Sequence, residues 1–576
     1  MRSFLFVSCM CCLITAPVSG QLTQVEQNFS TDPGWNHYQN RIVGIEMPRV
    51  IQDFGWRNTN FTGTGPGEIG GRVDNSRRQA YYAIPLGRPL TFDDELSASG
   101  KLAVKHIGNR GVAYIGFFIS HRHTWRVWSS MGFRIWEEGR QGQIMFDWMS
   151  SDWQARGAET AILLDPDGAV HEWSFHYQPD AKVEPNWRDK NLEAIITDED
   201  GNGRPIEIQG EQFLLEKLRK FEPDVTAAEL RGRLLALRDQ GLVEYFHRHD
   251  QHRWWKRSHP EESHGRVTLQ FDNEIPYVFW FDKEIRNAPA LFDRFGLFNI
   301  ARFGEYVELY LGDLTINGEQ IELSENPHWQ GENNETEYIE PNFHGMQDYG
   351  WSQTNWAGKK TGEIGGLFWR TEPHDPAASY YADEIGSLTL EDPIEFSGSI
   401  SFTDGMSDAG GYFGYFSREA QLEKYEKDDP RASFPFKNMM GFQIADRSSV
   451  GYNLRPVASD SAGGRTGADC GVFLPDSRQR HFTFKYDPEA NEGIGRVTVT
   501  LDGETQEYKL TKAQRDRGAL FDHFGLVNVR VGGHSIQYYL DDLSYTANYP
   551  DGKNPAFKPQ TYVEVPYPKE SAGRKY

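Results

Sequence analysis

At 576 residues, with 60 Lys+Arg against 83 Asp+Glu, the chain carries a formal net charge of -23. That balance repels phosphate backbones and anionic lipid, which sets aside nucleic acid and membrane surfaces as partners. Aromatic residues make up 14% of the chain while apolar residues reach only 38%, a composition that suits thin sandwich cores and excludes general disorder.

Residues 1–20, MRSFLFVSCMCCLITAPVSG, combine one Arg, an apolar run and the small residues Val18 and Gly20. This pattern predicts a secretory signal peptide cleaved near Gly20, and so a secreted, extracellular or periplasmic chain with no membrane insertion after cleavage. The apolar run is shorter than the roughly 18–20 residues of a spanning helix. Cys9, Cys11 and Cys12 fall in this segment and leave Cys470 alone, so stability has to come from packing.

Residues 52–82, QDFGWRNTNFTGTGPGEIGGRV…AYY, are answered by residues 347–381, QDYGWSQTNWAGKKTGEIGGLF…SYY, with Trp56 to Glu68 and Trp351 to Glu363 both twelve apart. A second matched block joins GRVTLQFDNE…LFDRFGLFN…VELYLGDLT, ending at Thr315, to GRVTVTLDGE…LFDHFGLVN…IQYYLDDLS, ending at Ser544. One unit written twice predicts two domains, residues 21–320 and 321–549, followed by a proline-spaced, extended tail at 550–576. Segments of period two bounded by Gly, Asp and Asn, such as LSASGKLAVKH and RVTVTLDG, predict strands.

The first copy alone carries an insertion at about 184–263. Its stretch EQFLLEKLRKFEPDVTAAELRGRLLALRDQGLVEYFHRH has helical periodicity, and Thr226 and Glu229 stand in capping-box spacing, which predicts two short helices. The TDEDGNG segment at 197–203 predicts a hairpin turn rather than a Ca²⁺ loop, because Gln209 stands where a bidentate Glu is required.

The closing pattern G-R-V-T-x-T-L-D-G, F-G-L-x-N and Y-x-D-D-L resembles the concanavalin A-like lectin/glucanase superfamily in its laminin G-like form, over roughly residues 40–320 and 330–548. The resemblance implies an all-β fold of two tandem jelly-roll, concanavalin-like antiparallel β-sandwiches, the first with a partly helical insertion. It also implies a structural Ca²⁺ with Asp313 and Asp542 as ligands, although Gly312 stands where the second copy has Asp541. The superfamily spans sugar-binding modules, glycoside hydrolases, polysaccharide lyases and adhesion domains, so it leaves activity open.

Asp53, Trp56, Asn60 and Glu68, with Asp348, Trp351, Asn355 and Glu363, form the sharpest candidate site. Indole faces stack on pyranose rings, while amides and carboxylates match vicinal hydroxyls. The same residue types also make a packed loop, with Glu satisfying backbone donors, and both roles stay open. For catalysis the weak candidates are Glu68 and the insertion's His247 and His249, which a strand would turn to one side beside Arg248 and Tyr245, as metal ligation or base chemistry needs. The competing reading is a solvated basic loop.

The leading expectation is a secreted protein that recognises extracellular polysaccharide or glycoconjugate through two equivalent faces. The alternatives are a polysaccharide lyase or glycoside hydrolase with its site in the first repeat, and a structural or adhesive protein of the cell envelope.

Overall fold

The computed structural model describes residues 22–565 apart from 45–47, 120–126, 128, 152–154, 184–188, 197–210, 249–250, 257–262, 275, 303, 341–344, 371–378, 407–408, 420–435, 448–450, 461–462, 469, 530–533 and 551–562. The signal segment and the TDEDGNG turn lie outside the described residues.

Alternation sets the architecture. Gln479–Asp487 runs buried and exposed by turns, placing Phe482, Phe484 and Tyr486 inward, and that period gives a strand one core face and one outer face. Such strands assemble into two antiparallel sandwiches. In the first, a seven-stranded sheet faces a nine-stranded one; in the second, an eight-stranded sheet faces a ten-stranded one. Both cores are dominated by aromatic contacts. In the second, Phe396 stacks on Phe484 at 4.5 Å and meets Phe413 edge-on at 5.5 Å. Each such pair contributes about 0.5–1.5 kcal/mol beyond its buried area.

The boundaries of the two sandwiches differ from the division read at residues 21–320 and 321–549. The first three strands of the chain belong to the second sandwich: Thr23–Gln27 pairs with Ser535–Ala547, Asn36–Tyr38 with Tyr380–Thr389, and Arg41–Gly44 with Gln347–Ser352. In turn, Gln330–Glu332 pairs with Tyr81–Leu90, and Glu335–Ile339 with Arg49–Arg57, so residues up to 339 complete the first sandwich. We call residues 22–44 and 317–340 the straps.

The straps share a short element, STDPGW at 30–35 and SENPHW at 324–329. Trp35 lies 5.6 Å from the Tyr381 ring, and Trp329 stacks on Tyr82 at 5.8 Å. Tyr381 donates its hydroxyl hydrogen to Asp32 at 2.9 Å, and Tyr82 donates to Asn326 at 3.3 Å. The first sandwich thus takes its strap from downstream and the second takes the equivalent piece from the start of the chain.

The stretch read as helical holds the two helices expected, Glu211–Leu218 and Ala227–Asp239, and among the described residues the insertion adds a third ahead of them, Lys190–Ile196. That third helix is too short to show periodicity. The capping box is present: Thr226 Oγ1 accepts from the Glu229 N–H at 3.2 Å, and Glu229 accepts from the Thr226 N–H at 2.9 Å. Beyond Gly241 the stretch read as helical becomes a hairpin, Val243–Arg248 with Gln251–Lys256. Leu214, Leu230, Leu234 and Trp254 form a separate small core that reaches the sandwich at Trp280. In the tail, Val563–Val565 pairs in parallel with Arg41–Gly44.

Candidate functional site

The repeated motif converges on one carbonyl in each sandwich. Trp56 donates its indole N–H to Leu323 O at 2.9 Å, and Trp351 donates to Phe29 O at 2.9 Å. The first glycine of each GEIGG segment faces the same oxygen. A Cβ on Gly67 would fall 1.7 Å from Leu323 O, and one on Gly362 would fall 2.0 Å from Phe29 O; both residues have φ near the left-handed side, +108° and +113°. Only glycine admits the strap this closely.

The aspartates serve the same attachment. Asp53 pairs with Arg57 at 2.5 Å, and Arg57 reaches on to the strap's Glu335 at 2.9 Å. Asp348 pairs with the strap's Arg41 at 2.6 Å, and Arg41 also donates to Trp351 O at 2.8 Å. These polar groups are therefore engaged within the fold, which is the packed-loop role set beside sugar binding for Asp53, Trp56, Asp348 and Trp351.

Glu68 and Glu363 are fully buried. Glu68 accepts from the Phe61 N–H at 2.6 Å, the Thr62 N–H at 3.0 Å and the Thr62 hydroxyl at 2.8 Å. Glu363 accepts from the Trp356 N–H at 2.9 Å and the Ala357 N–H at 2.7 Å. Leaving such buried donors unmet costs about 1–3 kcal/mol each, so each Glu fixes its loop.

That loop presents an aromatic ring to solvent. Phe61 is 39% exposed and Trp356 is 46% exposed, at the same place in the two sandwiches. Phe61 lies 4.5 Å from the Tyr310 ring with the Lys105 ammonium 4.9 Å above it. Asn60 and Asn355, the exposed residues just before them, flank the rings, and Asn60 Oδ1 accepts from the Gly65 N–H at 2.9 Å. The sequence reading passed over Phe61 and Trp356, although N-F and N-W stand at matched positions within the quoted repeat.

The two loops differ in one pair of residues. In the first sandwich a Cβ on Gly312 would fall 2.2 Å from Thr62 Oγ1; in the second, Ala357 replaces Thr62 and Asp541 replaces Gly312. Asp541 is 2% exposed. Burial, reinforced by the nearby Asp542 and Glu363 charges, pushes its pKa up to about 7.

Asp313 and Asp542 sit on irregular stretches of their strands with positive φ, 52° and 50°, and both are exposed. Asp313 lies 3.9 Å from Lys101, a poor neighbour for a cation, and among the described residues no three His, Cys, Asp or Glu side chains gather as a metal-binding group. The Lys101 ammonium therefore makes Asp313 a poor ligand for the Ca²⁺ that the resemblance implied. His247 stands opposite His252 in the hairpin register, while His249 lies outside the described residues.

No family model matches the chain, and no curated protein does. Solved structures with similarity include mouse laminin alpha1 chain domains LG4-5, 10% identical over 85% of this chain and 93% of that one, with a TM-score of 0.21. The Emp47p carbohydrate recognition domain is 13% identical over 34% and 88%, with a TM-score of 0.23. Peanut lectin is 14% identical over 35% and 90%, with a TM-score of 0.21. At these TM-scores the matches say nothing of ligand or activity.

Proposed function

We propose that the protein is a secreted saccharide-binding protein whose two sandwiches are copies of one unit, each offering a Glu-anchored loop with an exposed aromatic ring. The observation that carries this reading is the matched pair Phe61 and Trp356, exposed on loops whose backbone is held by buried Glu68 and Glu363. An aromatic face on a loop already fixed by hydrogen bonds meets a pyranose ring without a further ordering cost. Asn60 and Asn355 stand beside the rings as hydroxyl partners.

Two loops on one chain raise retention on a polymer, because the second contact is intramolecular at an effective concentration of roughly millimolar for short connections. On immobilised polysaccharides, the expected result is stepwise loss: weaker retention for Phe61→Ala or Trp356→Ala alone and none for the two together, with unchanged melting. Full retention of the double variant on every polysaccharide that holds the wild type excludes this site.

A further inference from the structure

The insertion packs its longest helix against Trp280 on the outer face of the nine-stranded sheet, and the end of that helix borders an open cavity of about 750 Å³. The sheet side carries Gln178, Arg266 and Trp280 side by side across three neighbouring strands, since Gln178 pairs with Arg266 and Arg266 with Trp280. In the second sandwich the position of Trp280 falls to Lys509 by register, Pro393 stands in place of Glu95, and the short turn Ala490–Gly493 replaces the insertion.

The wall of this cavity carries four carboxylates, Asp93, Glu95, Asp180 and Asp239, and two cations, Lys182 and Arg266, and among the described residues Asp180 has no cation partner. Three of these carboxylates are already engaged: Asp93 with Arg286 at 2.6 Å, Glu95 with the His176 ring nitrogen at 2.5 Å, and Asp239 with Arg238 at 2.7 Å. The cations of the wall are not matched. Arg266 donates Nε and Nη2 to the neutral Gln178 Oε1 at 3.2 and 2.6 Å and lies 5.7 Å above the Trp280 ring. Among the described residues it has no carboxylate partner, and neither does Lys182. Trp280 is held in place by its N–H bond to Arg238 O at 3.1 Å, so the Arg266 shelf is fixed from below.

We propose that this cavity binds a short saccharide bearing one carboxylate, a hexuronate unit, with Arg266 and Lys182 taking the carboxylate and Asp180 accepting from ring hydroxyls. A guanidinium suits a planar carboxylate, and cations without counter-charges, the half-buried Arg266 and the exposed Lys182, are the part of the wall that a ligand would complete. The net charge of -23 repels long polyanions, which favours a short ligand with a single anionic group over an anionic polymer. The saccharide part rests on the proposed function; the anion part rests on the cavity alone.

The test is calorimetric titration of the full chain with trisaccharides that each carry a single galacturonate, mannuronate or glucuronate unit and with neutral trisaccharides of the same linkages. At least one uronate is expected to bind at one site per chain, at least tenfold tighter than its neutral counterpart. Arg266→Gln and Lys182→Gln should each weaken it about tenfold, while Phe61→Ala with Trp356→Ala leaves it unchanged. Lys182 is exposed, so its variant reports even if Arg266→Gln fails to fold. No saturable binding of any uronate, or binding indifferent to both variants, overturns the cavity site. Uronate binding lost only in the aromatic-loop variant overturns it too and leaves the loop reading standing. Cavity binding together with loops that retain no polysaccharide does the reverse.

Discussion

Trp351 and Phe29, 322 residues apart in the chain, are joined by a 2.9 Å indole-to-carbonyl hydrogen bond, and Trp56 makes the same bond to Leu323 in the first sandwich. The motif that repeats most clearly is thus a fastening for a strap. In the second sandwich the fastening closes the molecule on its own N-terminal segment.

Removing that segment should open one sandwich and spare the other. A chain lacking residues 22–44 leaves Ser535–Ala547 and Tyr380–Thr389 without their outer partners and strips Trp35 from Tyr381. Trp35→Ala alone should cost about 3–5 kcal/mol. Hydrogen exchange read by mass spectrometry should show faster exchange across the second sandwich with the first unchanged.

Gly67→Ala and Gly362→Ala should be more damaging than their size suggests. Each new methyl group would meet a strap carbonyl at 1.7 or 2.0 Å, and relief means detaching the strap. A loss of about 2–4 kcal/mol per site is expected in denaturant unfolding, against about 1 kcal/mol for Trp56→Phe or Trp351→Phe, which keep most of the ring and lose the hydrogen bond.

Asp541 gives the stability a pH dependence confined to the second sandwich. Its pKa is raised on folding from 3.8 to about 7, so the folded chain keeps a proton that the unfolded chain has released. Stability from this group is highest below pH 3.8, falls as pH rises toward 7 and then levels off. Between pH 5 and pH 8 this group should cost the wild type about 2–3 kcal/mol of unfolding free energy, and Asp541→Asn should abolish that difference, measured by denaturant unfolding at the two pH values.

The all-β class was legible from period two in segments such as 496–503, and Thr226 with Glu229 announced a helix start, because both signals are local. The division into domains was not, because strap exchange joins residues more than 300 apart and leaves no mark in periodicity. A comparison of STDPGW with SENPHW would have revealed it. At the site, Trp56 read equally as binding or packing, while the repetition of Gly67 and Glu68 in both motifs leaned toward a structural role. Only the position of Leu323 O, and the donors around Glu68, separate the two.

If Trp56 and Trp351 fasten straps while the neighbouring exposed rings Phe61 and Trp356 bind saccharide, one paired measurement separates the two roles. Thermal unfolding and retention on polysaccharide are recorded for Trp56→Phe with Trp351→Phe and for Phe61→Ala with Trp356→Ala. The first pair should show lowered melting with full retention well below the transition, and the second unchanged melting with lost retention. The opposite assignment, with retention lost through Trp56 and Trp351 while melting holds, would contradict that division of roles.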